Sequence, residues 1–97
     1  MKFTFKIVKV SPWTPTFTDI KIKKRRCGII LQESSGNKCK IQMMVEKNEK
    51  YDDKNPNCKW MNIVIKRDLE NEEAARTWLQ ENIENIMKKY PLHFHED

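Results

Sequence analysis

The chain has 97 residues, 38% of them hydrophobic, and a mean hydropathy of −0.82, which leaves room for one domain, 1–97, with a single core. Its net charge of +5 and pI near 9.2 favour acidic partners, nucleic acid first, and disfavour a mimic of DNA. No run of about 18 apolar residues is present, so no membrane span or export segment is read.

Phe3, Phe5 and Ile7 alternate with Lys2, Thr4 and Lys6, the period of a half-buried strand. Ser11-Pro-Trp-Thr-Pro15 ends it, because two prolines in five residues do not fit inside a sheet. Alternation resumes from Phe17 to Lys23, with Ile20 and Ile22 opposed to Asp19, Lys21 and Lys23. A basic knot, Lys23 to Arg26, leads into a third expected strand from Cys27 to Leu31, unless the second and third are one bent strand. Glu33 to Asn37 reads as a hairpin loop, since Gly36 and Asn37 tolerate positive φ. Beyond it Cys39, Ile41, Met43 and Val45 share one face, with Lys38, Lys40 and Gln42 on the other. Lys47 to Asn57 is a long polar loop, of the kind in which partners sometimes dock. The last strand, Cys58 to Lys66, places Met61, Ile63 and Ile65 inward and Trp60, Asn62 and Val64 outward.

The C-terminal helix has the strongest pattern. Asn71 is the expected N-cap, and Glu72 and Glu73 suit the positive end of the dipole. Ala75, Trp78, Leu79, Ile83, Ile86, Met87 and Tyr90 form one apolar stripe, Arg76, Glu81 and Glu84 the opposite face, and Pro91 ends the run. The fold expected is α+β, an antiparallel meander of four to five strands with one C-terminal helix packed on one face.

What the alternation leaves uncovered is the candidate interface. Lys6, Phe17, Lys21, Lys23, Lys38, Lys40, Trp60 and Lys66 are expected on the face away from the helix. Cationic side chains attract phosphates, and an exposed aromatic ring offers a plane for an unpaired base. The bland reading is that antiparallel sheets ordinarily wet one face and use lysine there. The run from Lys59 to Ile86, a strand followed by a Trp-bearing helix, is similar in outline to single-stranded-nucleic-acid modules of the Whirly type. That likeness is one of architecture without a diagnostic motif, and no family is recognised.

Other chemistries find less support. The three cysteines, Cys27, Cys39 and Cys58, are odd in number and widely spaced, so free thiols in a reducing, cytoplasmic setting are expected. With His93 and His95 they lack the paired spacing of a zinc site, and no metal or cofactor is expected. No activating context surrounds a thiol–histidine pair, and the two glycines supply no phosphate-cradling loop, so catalysis is not expected. The alternative is a protein-binding inhibitor or regulator of the immunity or anti-defence type, anchored on Trp13, Tyr51 and Phe94. The partners expected are therefore a single-stranded nucleic acid or an acidic protein surface, and an edge strand is open to pairing in a homodimer. Fifteen Lys against four Arg, with frequent Asn and Ile, is the bias of AT-rich coding and fits a low-GC bacterium or its phage.

Overall fold

A computed structural model describes residues 2–8, 17–33, 38–47 and 59–95. They form a five-stranded antiparallel sheet in the order β1 (Thr4–Val8), β2 (Phe17–Ile22), β3 (Arg25–Gln32), β4 (Cys39–Glu46) and β5 (Trp60–Leu69). One helix, α1 (Glu72–Lys89), packs on one face. The meander expected from the alternating pattern is the observed topology.

β2 and β3 are separate strands, joined at Lys23 and Lys24, whose φ angles are 51° and 68°. A two-residue hairpin needs positive φ at both central positions for its twist to match that of the strands. Glycine or asparagine ordinarily meets that need, and here two lysines do. The basic knot is thus the hairpin tip itself, and β3 starts at Arg25 rather than Cys27.

A bulge follows. Ile20 pairs with Gly28 but Lys21 pairs with Arg26, so Cys27 is the extra residue in β3. Cys27 and Gly28 both serve the core side, and Arg26 is swung to the other face. Gly28 is fixed by packing: a Cβ there would stand 2.5 Å from Met43 Sδ and 2.6 Å from the Gln42 carbonyl. Farther along, the Glu33 amide donates to the Lys38 carbonyl at 2.7 Å and closes the β3–β4 pair.

The helix caps as expected, with the Asn71 side chain accepting from the Ala74 amide at 2.8 Å. Ala75, Leu79 and Ile86 are buried against Ile20, Ile30, Ile41 and Met43. Gln80 ties the N-terminal strand down: its amide donates to the Phe3 carbonyl at 2.8 Å and accepts from the Phe3 amide at 3.2 Å. Arg76 departs from the expected outer face. Its guanidinium pairs with Glu72 at 2.8 Å and lies 5.0 Å from the Phe5 ring centre, so its stem covers β1. Ile7, expected inward, is 60% exposed at the strand's far end.

The last described segment completes the sheet. β3 and β4 pair from Gly28–Met43 to Gln32–Cys39, and beyond Gly28 and Met43 that ladder stops. The C-terminal tail bridges the resulting fork. Glu46 N donates to Pro91 O at 2.7 Å, His93 N to Met44 O at 2.8 Å, and His95 N to Arg26 O at 2.8 Å. Leu92 and Phe94 turn to the core, leaving His93 and His95 on the opposite face beside Trp60.

Candidate functional site on the open sheet face

Residues directly opposed in an antiparallel ladder share a face. One row, Lys6, Asp19, Ile29, Gln42 and Val64, therefore crosses all five strands on the side away from α1. A second row holds Thr4, Lys21 and Arg26, and a third Leu31 and Lys40. Met44–Asn62 and Glu46–Trp60 extend the surface toward the open end of the fork. Of the expected interface residues, Lys6, Phe17, Lys21, Lys40 and Trp60 stand on this face.

Lys38, exposed just ahead of β4 and opposite Glu33, continues the side of Lys40, but two others do not share the face. Lys23 sits at the hairpin tip. Lys66 is on the helix side, with its ammonium 5.9 Å from the Trp78 ring centre. The cause is a bulge in β5: Gln42 pairs with Val64 and Ile41 with Lys66, so Ile65 is the extra residue and strict alternation fails there.

The focus of the face is an aromatic cluster. Trp60 stacks on His93, with ring centres 5.3 Å apart and planes 11° apart. His95 meets Trp60 at 6.4 Å with an interplanar angle of 62°, and His93 at 6.4 Å. His93 Nδ1 lies 2.9 Å from Glu46 Oε1, which sits opposite Trp60 in the ladder and fixes the imidazole orientation. The tail's alternation places both rings: because Leu92 and Phe94 are drawn into the core, the residues between and after them must face outward.

Beside the cluster lies a depression of about 140 Å³, lined by Phe17, Arg26, Ile29, Met44, Trp60 and Asn62 over the Gly28 backbone. Its walls are mainly apolar, with a guanidinium and an amide among them. Arg26 Nη1 is 3.9 Å from Asp19 Oδ1, an ion pair too long for a hydrogen bond. Arg26 Nε and Asp19 Oδ1 are both buried without a hydrogen-bond partner among the described residues. Lys6 stands opposite Asp19 in the ladder, so the acidic group is set among cations.

Sequence reasoning missed Arg26, Glu46, His93 and His95 as members of this site. The tail did carry a signal, the period-2 pattern of Leu92 and Phe94 against His93 and His95. Of the three alternative anchors, Trp13 and Tyr51 lie outside the described residues, as does most of the 47–57 loop. Phe94 is seated against the core at the helix end, near Ile22 and Met87, and does not stand out as an anchor.

The two described thiols, Cys27 and Cys39, face away from this chemistry. Cys27 is fully buried, its Sγ 3.6 Å from the Ile20 carbonyl, and burial pushes its pKa up to about 12. The Cys39 thiol is raised too, by burial first and then by Glu72 and Glu33. Both are therefore poor nucleophiles at neutral pH. Among the described residues no three His, Cys, Asp or Glu side chains are grouped to hold a metal ion. No described helix is long and apolar enough to cross a membrane.

No known protein family matches the chain, and neither a curated protein nor a solved structure does.

Proposed function

We propose that the protein is a non-enzymatic binding module that takes single-stranded nucleic acid on the sheet face opposite α1. The observation that carries this reading is the Trp60–His93–His95 cluster, built on that face beside Arg26 by a tail whose other side chains are committed to the core. Lys6, Lys21 and Lys40 share the face, and Lys23 and Lys24 project at the tip of the β2–β3 hairpin. Cations along a backbone track and aromatic rings for unpaired bases are the two components of such binding. The hairpin tip adds support. A lysine in the left-handed region costs roughly 1–2 kcal/mol, and two successive ones favour a role for their charge over turn stability. The described cysteines are free, which suits a reducing, cytoplasmic setting.

The test is a salt titration with labelled single-stranded and duplex oligonucleotides. The reading expects preference for single strands and a log–log salt slope of about −0.7 per phosphate neutralised. Trp60→Ala should weaken binding roughly 5- to 150-fold, the equivalent of one lost base–aromatic stack. Lys40→Glu should reduce the salt slope, while Lys66→Glu, on the helix side, should alter it least. Absence of binding even at low salt sinks the proposal. Binding that survives Trp60→Ala combined with Lys40→Glu shows that another surface is used.

A further inference from the structure

The depression beside Trp60 has the size and chemistry of a slot for one ring system. Its volume of about 140 Å³ is well below the roughly 300–1,000 Å³ of ordinary small-molecule sites, so it does not enclose a whole nucleotide. Ile29, Met44, Phe17 and Trp60 give it apolar walls, which suit the faces of a planar heterocycle. Its hydrogen-bonding groups are Arg26 and Asn62.

Arg26 decides the preference. Its Nε–H is buried without an acceptor, and its nearest carboxylate, Asp19, is 3.9 Å from Nη1. Nε is shut off from the depression as well as from solvent, so the terminal Nη groups are the donors left to meet an acceptor-rich ligand edge. The planar guanidinium fork donates two parallel hydrogen bonds and accepts none. Guanine presents O6 and N7 side by side as acceptors and fits that fork. Adenine sets an amino donor next to N7, so one arm of the fork would meet a hydrogen. Thymine and uracil lack the paired acceptors; unpaired cytosine sets O2 beside N3, but it offers the apolar walls a single ring where guanine offers a fused pair. Asn62 is the residue that could favour adenine, by bonding its N6 and N7, and it serves as the internal comparison.

We infer that this depression is a guanine-selective base pocket, with Arg26 reading the O6/N7 edge of one unpaired guanine beside Trp60. The inference rests on the nucleic-acid reading of the same face. Asp19 acts as a positioning residue, holding the guanidinium from the side of β2.

The experiment measures anisotropy of the full chain with labelled oligothymidylate and with the same oligomer carrying one central guanine, adenine or cytosine. Guanine should tighten binding by at least about fivefold over thymine, the lower end expected of a bidentate contact. Arg26→Lys keeps the charge but removes the fork. It should erase the guanine preference while leaving the salt slope unchanged. Lys66→Ala, on the helix side and away from the depression, should leave the preference in place. Equal affinity for all four oligomers overturns the pocket while leaving the face reading intact. A preference for cytosine overturns the guanine assignment, and a preference for adenine, or one erased by Asn62→Ala but not by Arg26→Lys, overturns the assignment of Arg26. Failure of every oligomer to bind at low salt overturns both readings together.

Discussion

Phe94→Ala tests whether the C-terminal tail is a structural part of the site or a loose end. Complete truncation of a buried Phe costs about 3–5 kcal/mol. Phe94 is only partly buried, and it lines a depression of about 210 Å³ with Ile22 and Met87, so little new cavity would form. The expected loss therefore falls below that range, at about 2 kcal/mol. For a domain of this size that lowers Tm by roughly 8–16 °C. The local effect is more specific. With Phe94 removed, the His95 N–H bond to the Arg26 carbonyl loses the packing that holds it, and exchange at the His95 amide should accelerate before the core opens. Thermal unfolding by circular dichroism and native-state hydrogen exchange read the two effects separately. A Tm within about 2 °C of the parent, with the His95 amide still protected, would refute the account of the tail. An exposed protein-binding anchor at Phe94 would give that result, so the measurement also separates packing from docking.

Four further outcomes follow from particular contacts. Gln80→Ala removes both bonds to the Phe3 backbone and should cost about 1–3 kcal/mol in denaturant melts, with faster exchange at the Phe3 amide. Gly28→Ala drives a methyl against Met43 and the Gln42 carbonyl, and should destabilise by about 1–3 kcal/mol, because backbone as well as side chain must move. Replacing Lys23-Lys24 by Asn-Gly should stabilise the hairpin by about 1–2 kcal/mol and weaken oligonucleotide binding, so a gain in Tm with unchanged affinity would remove the hairpin tip from the proposed interface. Cys27 should make stability fall in alkali. Its folded pKa of about 12 lies above the ordinary 9.0, so the thiol contribution is complete below pH 9 and is lost between pH 9 and 12 as the unfolded thiol ionises. The parent should lose about 1.4 kcal/mol per pH unit more than Cys27→Ala across that window, and parallel curves would contradict the burial argument.

The sequence carried the architecture further than it carried the site, and the boundary has a physical cause. Strand number, helix limits and the Asn71 cap follow from local periodicity and local hydrogen bonding, both of which are written in neighbouring residues. Face assignment is local only while the alternation is unbroken. The Cys27 bulge turned Arg26 onto the open face, and the bulge at Ile65 moved Lys66 to the helix side. A bulge depends on what the partner strand offers, so no residue near Lys66 announces it. The Lys23–Lys24 turn was hidden for a different reason, because lysine is a poor candidate for left-handed backbone and its charge suggests solvent rather than a tight hairpin.

The tail shows most clearly why the open face has its present composition. β3 and β4 stop pairing at Gly28 and Met43, which leaves the Met44 carbonyl and Glu46 amide on one side of the fork and the Arg26 carbonyl on the other. Unpaired backbone groups next to a core are costly, and the tail satisfies these three in one crossing. The same crossing sets the parity of its side chains. Leu92 must go inward because Val45, its bridge partner, is fully buried, and His93 and His95 are thereby carried to Trp60. The aromatic cluster is therefore coupled to the closure of the fork. A variant that frees the tail should lose stability and single-strand binding together. A surface substitution such as Trp60→Ala should separate them.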